Sequence, residues 1–157
     1  MIEVYSERQL SNGKVKRRYK VTVTDNNDNT HEQVLGIFTH DSGDDGTTVE
    51  QQFIQSQKEQ EVQLFKADIE NGVNPFDTKS INWNSRNELL KAILDDALMM
   101  NATDPIVYNG LPYLSLVTDV ELMALYSQNQ AWVDDIRAKA SSLLSAKAIL
   151  DSHTGVL

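Results

Sequence analysis

The stretch THDSGDDGTTVEQQF at residues 39–53 gathers Asp41, Asp44 and Asp45 beside Gly43 and Gly46. Clustered carboxylates among glycines are the raw material of a calcium loop. An EF-hand loop needs oxygen ligands at its first, third and fifth positions, glycine at the sixth and a bidentate glutamate at the twelfth. Counted from Asp41, Asp45 and Gly46 fit, but Gly43 and Gln52 occupy the third and twelfth positions. Counted from Asp25, Asn27 and Asn29 fit, but Thr30 and Gly36 stand where glycine and glutamate are required. Neither loop is assigned a metal. Asp and Asn in such runs form turns by bonding their own backbone, and Thr47 followed by Glu50 reads as a capping box opening a helix. Asp44 and Asp45 then stand near the positive end of that helix. A metal- or ligand-binding module built on Asp41, Asp44 and Asp45 is kept as a second alternative function.

Other reactive residue types are no better placed. His31, His40 and His153 have no paired spacing of the HExxH kind. Asp95-Asp96 and Asp134-Asp135 fall in helical patterns, where neighbouring side chains do not face each other. No nucleophile elbow or P-loop is present. The absence of cysteine removes disulfides, zinc-thiolate sites and a cysteine nucleophile. No catalytic residue and no cofactor are assigned, and a non-enzymatic protein is expected.

The residues that do stand out are cationic. In KVKRRYKVTVT, Lys14, Lys16, Arg18 and Lys20 share one side of a strand, while Val15, Tyr19, Val21 and Val23 share the other. Such a row protects an exposed or edge strand against aggregation, or docks an acidic surface, for which another copy of the chain is one source. Nucleic acid is a weaker third reading, because only Tyr19 accompanies the cations as a stacking aromatic. A second unusual run is QSQKEQE at 55–61, nearly two helical turns without an apolar residue. It is either solvated or packs on partner chains through Gln55, Gln57 and Gln60. The expected partner-binding set is therefore Lys14, Lys16, Arg18, Lys20, Gln55, Gln57 and Gln60.

These residues need elements to hold them. SNG at 11–13 and DNNDN at 25–29 are turn signals separating apolar-alternating runs, so residues 1–46 read as an antiparallel hairpin or three-stranded sheet. Residues 47–72 read as one long connecting helix, projecting in part, stopped by Asn71-Gly72. Residues 73–84 form a loop anchored by Pro75, Phe76 and Trp83. Ser85 with Glu88, and Thr118 with Glu121, are capping boxes that open further helices. The helical pattern after Thr118 either runs unbroken to about residue 150 or divides near Gln128–Gln130, with Gly155 just past its end. Asn109-Gly110 between apolar runs predicts a small hairpin near 105–116. The fold class is α+β, with residues 73–157 a helical subdomain carrying that hairpin.

Bulk properties set the frame. The 157 residues are 40% hydrophobic and 24% charged, a globular composition. The net charge is −9: residues 1–40 hold six Lys/Arg against five Asp/Glu, and residues 41–157 hold eight against eighteen. An acidic body argues against general nucleic-acid binding. No apolar run approaches the ~20 residues of a membrane span, and MIEVYSERQL lacks the pattern of a signal peptide.

The segments VYNGLPY at 107–113 and VTDVELMALYSQNQAWVDDIRAKA at 117–140 combine a short turn, a Thr-x-x-Glu-Leu helix start, an aromatic and a long amphipathic tail. In this the C-terminal part resembles small accessory proteins of tailed bacteriophages, including those linked to tail-fibre assembly. The resemblance implies a phage origin and a virion or assembly role, and it supplies no catalytic residue. The expectation is a structural component of a virion, at a neck, tail or baseplate-type interface, assembled in the host cytoplasm. Its partners would be other virion proteins and copies of itself. The alternative is a tail or tail-fibre assembly chaperone that is not retained in the particle.

Overall fold

A computed structural model describes residues 1–99, 101 and 103–154. The His153 side chain and the expected stop at Gly155 lie outside the described residues. The protein is α+β. Strands β1 (Ile2–Gln9), β2 (Lys14–Thr24) and β3 (Thr30–Asp41) precede helices α1 (Thr47–Glu70), α2 (Pro75–Thr78), α3 (Arg86–Met99) and α4 (Pro105–Gly110). A 3-10 helix (Leu111–Leu116), α5 (Asp119–Tyr126) and α6 (Gln130–Thr154) follow. The chain divides into two compact units. One is Met1–Glu61 with Ile81–Asn84, and the other is Val62–Ser80 with Ser85–Leu157.

In the first unit the strands pair antiparallel in the order β1-β2-β3. The two expected turns close both hairpins. Gly13 supplies a left-handed φ of 82° after Leu10–Asn12, where few other residues fit without strain. In the second turn, Asp25 Oδ1 accepts the N–H groups of Asn27 at 2.8 Å and Asn29 at 3.0 Å. The central strand sorts its side chains with period two: Val15, Arg17, Tyr19 and Val21 are buried, and Lys14, Lys16 and Arg18 are exposed. The first half of α1 contributes Val49 and Phe53 to the buried side.

The start of α1 differs in detail from the sequence expectation. Thr47 is inside the helix, and its N–H and hydroxyl both donate to Asp45 Oδ1, at 3.0 and 2.8 Å. Glu50 faces the Met1 ammonium at 3.3 Å instead of closing a box with Thr47. The polar centre of α1 ends on a buried carboxylate. Glu61 accepts N–H groups from Asn82 at 2.8 Å, Trp83 at 3.1 Å and Asn84 at 2.9 Å. This clasp draws Ile81–Asn84 into the first unit, where the Trp83 ring meets Phe53 edge-on at 6.3 Å.

The second unit takes over the same helix at Val62 and buries its Phe65 and Ile69. The helix stops as Asn71-Gly72 predicts. Gly72 adopts φ 75°, and the N–H groups of Gly72 and Val73 return to the carbonyls of Ile69 and Asp68, the paired bonds of a Schellman motif. The core joins Ile69 to Leu90, Ile93, Leu94 and Ala97 of α3, and to Leu122, Val133 and Ala140 of α5 and α6. Phe76, on the single turn of α2 inside the expected loop, stacks its edge on Phe65 at 5.4 Å and reaches Tyr113 at 5.9 Å. Both remaining capping boxes form, Ser85–Glu88 and Thr118–Glu121. The last helical stretch is divided: Ser127 turns left-handed at φ 51° and separates α5 from α6.

The hairpin expected near 105–116 is absent, because that segment is helical throughout. Asp104-Pro105 starts α4, with proline in the first turn where its missing N–H costs nothing. Ile106, Val107, Gly110, Leu111 and Leu114 are buried at helical spacing. Gly110 does not use its freedom to turn; its φ is −89°. It serves close packing, since a Cβ there would lie 3.2 Å from the Ala97 Cβ.

Candidate protein interface

The cationic row of β2 lies on the sheet's exposed side, and the pairing of the strands decides which charges remain available. Lys20 Nζ sits 2.9 Å from Glu3 and 3.8 Å from Glu32, so its charge is answered within the sheet. Lys14, Lys16 and Arg18 make no ion pair among the described residues. Arg8 joins them from β1, standing opposite Lys16, while Thr39 flanks Lys16 from β3. In the next row Arg18 lies between Ser6 and Ile37. Arg8, Lys16, Arg18, Ser6 and Ile37 line a shallow depression of about 240 Å³. Ile37 is 63% exposed there. A carboxylate also borders the depression, but Glu7 is held by Arg17 Nε at 2.7 Å.

Arg17 is the cation that the sequence reading left out. It shares the buried side of β2 with Tyr19 and is 8% exposed. Its guanidinium donates to Glu7, to the carbonyl of Ser42 at 2.9 Å and to the carbonyl of Asp44. It thereby ties the loop at 41–46 to the sheet. The alternation that makes Val15, Tyr19 and Val21 inward-facing also includes position 17, so the signal was present.

The glutamines divide. Gln57 and Gln60 line a separate groove of about 260 Å³, whose floor includes Leu35, Phe38, Val49 and Phe53. Gln55 is turned away and donates to Glu59 at 3.1 Å. Gln57 and Gln60 look onto the side of the sheet that α1 covers, and the free cations occupy the opposite side. The seven expected residues therefore form no single patch: Lys14, Lys16 and Arg18 are together, Lys20 is neutralised beside them, and the glutamines lie elsewhere.

In the acidic loop, Asp44 and Asp45 are held by neighbouring groups. Asp44 Oδ1 accepts the Gly46 N–H at 2.8 Å and its other oxygen lies 3.3 Å from His40. The Thr47 N–H and hydroxyl hold the Asp45 carboxyl below the usual carboxylate range. Gly46 is required twice over, by its φ of 79° and by the Tyr19 ring atom 2.7 Å from where a Cβ would stand. Among the described residues, no group of three or more His, Asp or Glu could hold a metal ion. The other acidic turn holds a cluster that the sequence reading missed. His31 Nε2 lies 2.7 Å from Asp25, and the His31 ring stands 5.3 Å from that of Trp83. The His31 hydrogen bond, followed by the backbone N–H groups of Asn29 and Asn27, lowers the Asp25 pKa to about 2.

No protein-family model matches the chain, and no match is found among curated proteins or solved structures. Among the described residues no helix is long and apolar enough to cross a membrane.

Proposed function

We propose that this protein is a non-enzymatic assembly component that works by binding other proteins, with the exposed side of its sheet as one contact surface. One observation carries the reading: on a chain of net charge −9, Arg8, Lys14, Lys16 and Arg18 share one sheet face and have no ion pair among the described residues. Like charges held side by side cost free energy that an opposing acidic surface relieves. The resemblance of 117–140 to accessory proteins of tailed phages supports taking the partners from a virion; the short turn read at 107–113 is helical and adds nothing to it. On this reading the protein is built into a neck, tail or baseplate-type interface.

Mass spectrometry of purified particles tests the proposal. A virion component remains at fixed stoichiometry through gradient purification. Loss from the particle, with co-purification alongside a free tail protein, assigns the chaperone role instead. Cross-linking and light scattering that find a monomer binding no virion protein would remove both.

A further inference from the structure

We infer that the depression formed by Arg8, Lys16 and Arg18 receives an acidic, extended segment of a partner protein. The inference rests on the proposed protein-binding role and names the chemistry of that contact. Three observations select this occupant. The first is charge. The three cations line one depression without an internal counter-ion, and the neighbouring carboxylate of Glu7 is already taken by Arg17. Lys20 further along the strand shows how such a cation is answered when carboxylates are in reach, by Glu3 and Glu32.

The second is spacing. Lys16 and Arg18 are alternate residues of one strand, so their stems are about 6.6 Å apart. Carboxylates at alternate positions of an extended chain repeat at the same interval. Arg8, directly across from Lys16, widens the row into a fork that can take a carboxylate from either side. The third is the apolar member. Ile37 stands beside Arg18 and is mostly exposed. A peptide can cover it with a branched aliphatic side chain such as valine, a larger apolar contact than the sugar carbons of a nucleic-acid backbone offer. Nucleic acid also meets a chain whose remaining charge is strongly negative.

The test uses the full chain and a short fluorescent peptide of alternating glutamate and valine, read by anisotropy. Binding is expected to weaken with added salt, and the same peptide with glutamine for glutamate should bind at least about tenfold more weakly. The triple change Arg8→Glu, Lys16→Glu and Arg18→Glu should abolish binding. Lys16→Gln and Lys147→Gln alter the net charge equally, so comparing them separates a local contact from the overall field. Only the first should weaken binding, by about threefold. These side chains are exposed on the sheet, and circular dichroism checks that the variants are folded; the single exchange serves if the triple one is not.

Equal binding of the glutamine peptide, or an unchanged Lys16→Gln, overturns the inference. So does tighter binding of oligothymidylate, which would assign the face to nucleic acid. A salt-sensitive dimer, lost in the triple variant and seen without peptide binding, would assign it to a second copy. The outcome is separable from that of the broader role. Retention in particles without peptide binding removes only the acidic segment, and peptide binding by a protein missing from particles removes only virion residence.

Discussion

Without the Glu61 carboxylate, the N–H groups of Asn82, Trp83 and Asn84 lose their acceptor in a part of the fold where Glu61 is 6% exposed and Asn84 5%. Buried donors left unpaired each cost on the order of 1–3 kcal/mol, moderated by local rearrangement toward water. Glu61→Ala is expected to lower unfolding free energy by about 2–3 kcal/mol in urea titration. A change below a few tenths of that would mean that the clasp is not formed. Asp25 offers a pH test. Its pKa falls from 3.8 to about 2 in the folded chain, so the folded state binds this proton less readily than the unfolded one. The stabilisation is present above pH ~4 and is lost as pH drops toward 2. Asp25→Asn should flatten the pH dependence of thermal stability across that window. An unaltered slope would assign it to other carboxylates. Neither cluster was legible in the sequence, because each joins residues through folding: Glu61 meets amides more than twenty positions on, and His31 reaches back across a turn.

Elements were more legible where local chemistry and burial agree. The period of two in β2, the turns at 11–13 and 25–29, the helix stop at Gly72 and the helix start at Ser85 all coincide with what the packing needs. The segment 105–116 shows the opposite case. Asn-Gly favours a tight hairpin, yet Ile106, Val107, Gly110, Leu111 and Leu114 have the 3.6-residue period of a buried helical stripe, and burial of that stripe against α3 outweighs the dipeptide's preference. Gly110→Val should therefore destabilise by about 1–3 kcal/mol through overpacking against Ala97. A hairpin turn would instead be disrupted through its backbone angle, and would show the same loss with alanine. Gly110→Ala should be nearly neutral, since helix propensity offsets part of the 3.2 Å approach. Thermal melts of the two variants separate these cases.

At the scale of the molecule, the two tryptophans report separately, Trp83 from the first unit and Trp132 from the second. In Trp132→Phe and Trp83→Phe backgrounds, Glu61→Ala should lower the midpoint read by Trp83 more than that read by Trp132. Equal shifts in the two backgrounds would show that the units unfold as one. The candidate interface was half legible at this scale. Alternation placed Lys14, Lys16 and Arg18 on one side. Which cations stay free depended on neighbours in space: Glu3 and Glu32 neutralise Lys20, and Arg8 arrives from β1.

The return of Ile81–Asn84 to the first unit sets an order of events during synthesis. A ribosome releases the whole sheet and the first half of α1 well before it releases Trp83. Until then the Glu61 carboxylate has no amides to receive and Phe53 lacks its aromatic neighbour. The intervening residues, Val62–Ser80, belong to the other unit and emerge before the first is complete. The nascent chain therefore carries Phe65 and Ile69 uncovered while the sheet waits for its last strip of backbone. A cut after Glu61 would leave out the segment that finishes the sheet unit, and a cut after Asn84 would keep that segment along with an orphaned part of the helical core.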